Sequence, residues 1–185
     1  VLAPFAGACE LRDAFDQSLQ ADILALDALV AVVSGDNPVA TMSTPTLRLM
    51  LEGRVVEWPE LLTGRFGIEP EPLQLHLPKT LLTLGRIWPF KPIVPATEAM
   101  RYRDPNRLAD AVAADPGALG IVPLSRIGNA TPLVLAGPCG RVLPATAARV
   151  KAEDYPLVEP VFIQRLDPVQ PRLVRDFIAY AQSAE

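Results

Sequence analysis

The spacing of apolar residues ahead of position 115 predicts a short helix that packs through one face. Leu108 and Val112 lie four residues apart, and alanines around them keep that face small. Asp104 or Asn106 is the predicted N-cap, because either side chain can accept a hydrogen bond from the first free backbone N–H groups of the helix.

The residues that follow predict a sharp turn and then a buried strand. In Asp115-Pro116-Gly117 the proline disfavours the α conformation at residue 115, and glycine tolerates positive φ, so the helix is expected to end there. Residues 118–124 form a short apolar run without alternation, which is typical of a strand covered on both faces. A helix joined to a buried strand by a three-residue turn indicates an α/β fold.

Similar patterns predict the other elements of the chain. Helices are expected where apolar residues recur every three or four positions, and strands where they alternate or form short β-branched runs. The expected helices cover residues 8–20, the segment from Ser43 or Thr44 to Gly53, and residues 169–182, with Leu173, Phe177 and Tyr180 on one face of the last. The expected strands cover residues 23–33, 73–77, 132–135 and 161–163. The strand at 73–77 alternates, so it is expected to be half-buried.

Asp27 interrupts the most hydrophobic run of the chain, residues 23–33, which is predicted to form a central strand. A carboxylate inside such a strand must be paired or lie at a boundary between lobes. Two interpretations stay open for Asp27, namely a structural hydrogen bond to neighbouring backbone and contact with a ligand.

A candidate anion site follows the strand at 73–77. The strand leads into Pro78-Lys79-Thr80, and leucines at 81, 82 and 84 predict a helix directly afterwards. Backbone N–H groups and the helix dipole can receive an anion at such a helix start, and Lys79 adds a positive charge. His76 is either a surface or hydrogen-bonded residue of the strand or a further ligand-binding residue.

Composition limits the classes of function. The chain has 185 residues, half of them hydrophobic, with a net charge of -4, which suits one domain or two small lobes. A nucleic-acid partner is not expected, because neutralising phosphates requires clustered Lys and Arg. No cofactor or metal is expected, since there is no Gly-rich nucleotide loop and no His/Cys cluster at metal spacing. With one histidine and no nucleophile elbow, the chain is not expected to be an enzyme.

Cys9 and Cys139 have two interpretations. If they are paired, the disulfide closes a long loop and implies an oxidising compartment. If they are unpaired, they are two small buried hydrophobic residues. The sequence leaves both open.

Four stretches, in this order, resemble the phosphate-binding subunit of bacterial ABC importers, a type 2 periplasmic binding protein. They look closest to its relatives fused to an OmpA-like module. The stretches are LALDALVAVVSGDNPV at 24–39, LRLMLEGRVVEWPEL at 47–61, RYRDPNRLADAVAADPGALGIVPLS at 101–125 and CGRVLPATAARVKAEDYPLVEPVFI at 139–163. The first is similar to the family's strand that crosses between two lobes, and the last to the strand that returns to the first lobe.

The resemblance implies an α/β fold of two lobes joined by a hinge, with the ligand between them. This chain would hold mainly the second lobe, with the returning strand and C-terminal helix of the first. The implied division is an N-terminal helix and crossing strand at 1–33, a binding-protein-like lobe at 34–158, and the returning strand and C-terminal helix at 159–185.

The resemblance also implies a function, non-catalytic binding of phosphate or another small oxyanion. It implies a periplasmic or cell-envelope location, with the signal peptide outside this chain. The implied partner is a membrane transporter or envelope protein. If the N-terminal part of lobe one is absent, apolar surface at residues 23–33 and 161–163 lacks its usual cover, so the helices at 8–20 and 169–182 are expected to fold over these strands, or a second copy of the chain is expected to cover them as a homodimer. The alternative is a degenerate module of the same fold that acts as an envelope scaffold or protein-interaction domain.

Two departures from the family pattern predict weak affinity. Residues 1–25, which precede the crossing strand, are too few to form the family's N-terminal part of lobe one. The family's Arg and Ser-Gly-Thr turn is replaced by HLPKTLLT at 76–83, in which Thr80 matches and Lys79 stands in for Arg. Lysine lacks the bidentate fork of arginine and binds an oxyanion less selectively. Together with His76 and Asp27, these two residues form the expected ligand-binding set.

Overall fold

The structure is a computed structural model that describes residues 21–58, 72–79, 94–137, 140–164 and 171–183. The helix expected at 8–20, Thr80 with the helix expected after it, and both Cys9 and Cys139 lie outside these residues. The disulfide therefore stays a prediction.

The described residues form an α/β fold with two sheets. The strands are β1 (Ala21–Val33), β2 (Thr41–Ser43), β3 (Gln74–Pro78), β4 (Met100–Tyr102), β5 (Ala118–Pro123), β6 (Thr131–Pro132), β7 (Val134–Ala136), β8 (Val142–Leu143) and β9 (Val158–Gln164). The helices are α1 (Thr44–Leu51), α2 (Pro105–Ala113), α3 (Ala147–Lys151) and α4 (Arg172–Ser183). The larger sheet has the order β4-β3-β5-β1-β6, with β9 also paired to β1, and the smaller sheet has the order β2-β7-β8. None of the described helices is long and apolar enough to cross a bilayer.

Strand β1 changes its pairing partner along its length. It pairs antiparallel with β9 as far as Ala28, which lies opposite Val158. From Leu29, which lies opposite Pro123, it pairs antiparallel with β5. One continuous strand therefore joins the β9 pairing to the main body of the larger sheet.

The larger sheet buries apolar side chains on both faces. Helix α2 covers one face through Leu108 and Val112, which pack against β1 and β5. On the other face, Leu47 of α1 and Trp58 belong to a larger buried cluster. Strand β5 is buried from Ala118 to Val122, which confirms the strand covered on both faces.

Helices α1 and α2 have the caps that the sequence predicts. The Oγ of Ser43 accepts a hydrogen bond from Thr46 N at 3.1 Å, so Ser43 is the N-cap of α1. The Oδ1 of Asp104 accepts from Asn106 N at 2.9 Å, which selects Asp104 as the N-cap of α2. Gly53 follows α1 with φ of 70°, a conformation that glycine adopts without a Cβ clash.

The turn between α2 and β5, residues 113–117, receives hydrogen bonds from distant parts of the chain. The donors come from the loop after β1, from the buried Trp58 and from the start of β3. The bonds are Ser34 Oγ to Ala113 O at 2.9 Å, Asn37 Nδ2 to Pro116 O at 2.7 Å, Trp58 Nε1 to Gly117 O at 3.0 Å and Gln74 N to Gly117 O at 3.0 Å. The turn that ends α2 is thus also a joint between separate segments.

The prediction that β3 is half-buried is wrong. Leu75, His76 and Leu77 are all buried, although the alternating sequence predicts one exposed face. The reason is that α2 contacts one face of β3, while Leu75 and Leu77 belong to the larger buried cluster on the other face. The pairing of β3 with β5 in one sheet is confirmed.

Helix α4 contacts β1 as expected, but through a different side than its apolar pattern indicates. Leu173, Phe177 and Tyr180 lie on one face and are 80%, 56% and 72% exposed. Ile178, on another side of α4, is buried. The apolar stripe of this helix is therefore not part of the described core.

Substitution of Gly120 by alanine is expected to destabilise the fold. A Cβ at Gly120 would lie 2.7 Å from Val112 Cγ2 and 3.0 Å from Leu108 Cδ2, closer than packed atoms tolerate. Overpacking of this kind costs about 1–3 kcal/mol, which should lower the midpoint of urea unfolding.

Gly35→Ala is the matched control, because its new Cβ would meet Thr131 Oγ1 at an ordinary 3.7 Å. Equal unfolding midpoints for the two variants would contradict the close packing of α2 on β5.

Candidate functional site

Three parallel strands end at one edge of the larger sheet. Strand β3 pairs in parallel with β4 and β5, and His76 lies opposite Met100 on one side and Gly120 on the other. The carboxyl ends of all three strands therefore point to the same edge, where open α/β sheets bind their ligands. Lys79 follows β3 at this edge.

Lys79 is exposed, and its backbone position is fixed by β4. Its N–H donates to Tyr102 O at 2.6 Å, which continues the β3–β4 hydrogen-bond ladder one residue past β3. Its ammonium group offers three N–H donors to an anion. The helix N-terminus expected beside it, with Thr80, stays a prediction.

Asp27 lies next to the position at which β1 changes partner. Its Oδ1 accepts a hydrogen bond from Ala28 N at 2.7 Å, and the side chain is half-buried. Because Leu29 lies opposite Pro123 at the end of β5, Asp27 is two residues beyond that end. Asp27 therefore shares the sheet edge with Lys79. It makes a hydrogen bond to neighbouring backbone, and ligand contact stays a prediction.

His76 is buried, 3% exposed, and paired with an aromatic side chain of β4. Its Nδ1 lies 3.0 Å from Tyr102 Oη, and the two rings stack with centroids 5.5 Å apart at an interplanar angle of 15°. Its Nε2 has no hydrogen-bond partner among the described residues. Burial lowers the pKa of His76 below its ordinary value of 6.5, and the charge of Asp115 opposes that shift. This environment favours the neutral imidazole.

The four predicted site residues are thus not all in one place. Strands β1 and β3 both neighbour β5, so their axes lie about 10 Å apart. His76 lies three residues before Lys79, about 10 Å back along the strand. It belongs to the interior of the sheet, while Lys79 and Asp27 belong to its edge.

Sequence patterns missed two arginines that the structure places near Lys79. Arg101 lies opposite Leu77 in the β3–β4 pairing, and its Nη1 is 3.4 Å from Pro78 O. Arg103 follows β4 and is exposed. Strand β4 has only three residues, too few for a periodic signal. The charge of this segment does indicate a basic region. Residues 79–107 hold six Lys or Arg and two Asp or Glu, a net charge of +4, whereas the whole chain has a net charge of -4.

No metal site is evident in the part of the chain that the structure describes. No three His, Cys, Asp or Glu side chains there are arranged to hold a metal ion.

Comparison with known proteins finds similarity in structure but not in sequence. No protein-family model matches the chain, and neither does any curated protein sequence. An ABC-type phosphate transport receptor from Vibrio cholerae has a TM-score of 0.69 and 17% identity, over 96% of this chain and 72% of that one. PstS from Borrelia burgdorferi has a TM-score of 0.59 and 13% identity, over 89% of this chain and 66% of that one. PfluDING, a high affinity periplasmic phosphate-binding protein solved with phosphate, has a TM-score of 0.54 and 13% identity, over 85% of this chain and 61% of that one.

At these identities the comparisons establish the fold. The chain has the α/β fold of the type 2 periplasmic binding proteins that bind phosphate, as its sequence predicts. It spans between 61% and 72% of the lengths of these three chains, so it corresponds to part of the fold.

The buried His76 is expected to make stability depend on pH. Since its pKa in the folded chain is below 6.5, the unfolded chain binds the proton at higher pH than the folded chain does. The free energy of unfolding is then largest above the pKa that His76 has in the unfolded chain. It falls as the pH drops from there toward the pKa of His76 in the folded chain. His76→Phe, which can still stack on Tyr102, should remove this fall in urea midpoints measured between about pH 7 and 5.5.

This pH dependence can be assigned to His76 because the chain contains a single histidine. Tyr102→Phe is the matched control, since it removes the hydroxyl group but keeps the buried imidazole and should keep the pH dependence. The same pH dependence in His76→Phe and the unsubstituted chain would contradict this account.

Proposed function

We propose that this chain is a non-catalytic binding protein for phosphate or a related small oxyanion, working in the periplasm or cell envelope. The observation that carries the proposal is the exposed Lys79 at the carboxyl edge of three parallel strands. The fold supports it, because the Vibrio cholerae neighbour is a phosphate transport receptor and PfluDING was solved with phosphate. An ABC transporter or another envelope protein is the proposed partner.

We further propose the division of the chain that the resemblance implies. Residues 34–158 form the binding lobe, while 1–33 and 159–185 belong to the first lobe. The change of partner in β1 between Ala28 and Leu29 lies inside the 1–33 segment and supports a hinge within this strand. Asp27, one residue before it, is proposed to contact the ligand from the hinge, and Thr80 from the start of the following helix. His76 supports the site from within the sheet.

The proposed affinity is weak. A two-lobed binding protein gains affinity by closing both half-sites around its ligand. One ammonium and one expected helix N-terminus contribute individually about 0.3–2 kcal/mol. Two or three contacts of that size correspond to about millimolar dissociation constants, near -4 kcal/mol.

Lys79→Ala is expected to abolish orthophosphate binding, because it removes the charge at the sheet edge. Isothermal titration of the unsubstituted chain should show about millimolar affinity. The affinity should weaken as salt is added, because dissolved ions screen exposed charges, with a screening length of roughly 10 Å at 0.1 M ionic strength.

Arg175→Ala, which removes one exposed positive charge from α4, is the matched control and should bind as the unsubstituted chain does. Micromolar or tighter binding, or binding that survives in Lys79→Ala, would show that the site lies elsewhere.

A second candidate function is supported by the exposed face of α4. Leu173, Phe177 and Tyr180 form an apolar stripe that no described residue covers. Exposed apolar patches on folded proteins commonly mark protein interaction sites. The stripe favours the alternative of an envelope interaction module, with homodimerisation as its simplest form.

Phe177→Glu is expected to dissociate such a homodimer, because a carboxylate would have to be buried in the apolar interface. Light scattering should give a dimer for the unsubstituted chain and a monomer for this variant. Arg175→Glu, a charge change on the same helix, is the control that should stay dimeric. A monomeric unsubstituted chain would rule out the homodimer.

A further inference from the structure

We infer that Arg103 binds the same oxyanion as Lys79, and that the site therefore selects an anion with two negative charges over an anion with one. The inference rests on the proposed function and deepens it, because it adds a binding residue and specifies the charge of the ligand. The ligand class is a small tetrahedral dianion, such as the doubly ionised form of phosphate.

The hydrogen-bond ladder between β3 and β4 places Arg103 directly opposite Lys79. Within the strands, Pro78 lies opposite Tyr102. One residue further on, Lys79 N donates to Tyr102 O at 2.6 Å. A residue in a parallel ladder bonds to the two residues that flank the one opposite it, so this bond pairs Lys79 with Arg103.

One small anion can contact both side chains. Residues opposite each other in a ladder project from the same side of the sheet, and neighbouring strands lie about 4.8 Å apart. Lys79 and Arg103 are both exposed. Each carries its charge at the end of a long stem of methylene groups, so an ammonium and a guanidinium can both reach an anion that lies between the two strand ends.

The two positive charges also lack a nearby carboxylate to balance them. Like charges opposite each other on neighbouring strands destabilise a sheet. Among the residues that the structure places, neither Lys79 nor Arg103 has an ion pair with a carboxylate. Asp104 caps α2 through its bond from Asn106 N at 2.9 Å, and Asp27 lies on β1, three strands from β4. A bound anion would relieve the repulsion.

The chemistry of the two cations suits a tetrahedral dianion. A guanidinium can donate two parallel N–H bonds to two oxygens of one anion, and an ammonium can donate to a third oxygen. The attraction between two charges is proportional to their product. A monoanion is therefore attracted half as strongly to each cation, and it leaves one of the two positive charges without compensation.

The test is an NMR titration of the unsubstituted chain with three phosphates at about pH 8 and one fixed ionic strength. Orthophosphate and methyl phosphate carry mostly two charges there, whereas dimethyl phosphate carries one. Methyl phosphate separates the effect of a methyl group from the effect of charge. Both dianions should bind at least about fivefold more tightly than dimethyl phosphate, a difference within what one charge-assisted contact supplies.

Arg103→Ala should weaken orthophosphate binding about fivefold and reduce the preference for the dianions to less than about twofold. Arg103→Lys keeps the charge and should recover most of the preference. Arg107→Ala is the matched control, because it removes an exposed arginine of the same basic segment, in the first turn of α2, and should change orthophosphate binding less than about 1.5-fold. Urea midpoints equal to that of the unsubstituted chain establish that each variant is folded.

The outcomes separate this inference from the function on which it rests. Orthophosphate binding that Lys79→Ala abolishes but Arg103→Ala leaves intact would overturn the inference and keep the function. Equal losses in Arg103→Ala and Arg107→Ala would also overturn it, since they would indicate general attraction to the basic segment. Methyl phosphate that binds as weakly as dimethyl phosphate would show selection by size and not by charge. If the folded chain bound none of the three phosphates, the function and the inference would fall together.

Discussion

Backbone hydrogen bonding along β1 is the interaction on which the rest of the structure depends. The strand pairs with β9 up to Ala28 and with β5 from Leu29 onward, so one extended segment belongs to both pairings. Its second half is buried throughout, which anchors it between the clusters on the two faces of the sheet. Asp27, whose carboxylate accepts a hydrogen bond from Ala28 N, lies beside the point at which β1 changes its pairing partner, where we propose a hinge.

The parts of the fold that the sequence predicts are those in which local and global preferences agree. Helix α2 and strand β5 follow from the Leu108–Val112 spacing, the Asp-Pro-Gly stop and an unbroken apolar run. The short strands β4, β6 and β8 have too few residues for a period to appear, and the tertiary fold decides them. The burial of β3 was mispredicted for a related reason. Gln74 and His76 alternate with leucines, but the cover supplied by α2 comes from residues more than twenty positions away.

The candidate site was predictable only where strand ends carry its chemistry. Lys79 was chosen as a candidate because a strand that runs into a predicted helix is typical of an edge at which anions bind, and its role in binding stays a prediction. Arg101 could not be found in that way, because its place beside Pro78 depends on the parallel register of two strands separated by a long segment. The structure also places His76 and Lys79 in different surroundings, although they are only three positions apart. His76 is buried and Lys79 is exposed. Position along a parallel strand decides whether a polar side chain lies at the carboxyl edge of the sheet or in a buried aromatic contact.

The turn at residues 113–117 has a consequence for how the chain folds. Two of its hydrogen bonds join residues 79 positions apart, and the bond from Trp58 joins residues 59 positions apart. Helix α2 can form from local contacts, but these bonds form only after long loops have closed, and loop closure costs entropy before any contact repays it. The turn itself closes locally, through Gly117 N and Asp115 Oδ1 at 2.8 Å, so we expect the docking of the loop after β1, Trp58 and β3 onto it to be the late event of high contact order. The buried indole of Trp58, whose N–H binds Gly117 O, changes its surroundings at that step and reports it through its own fluorescence.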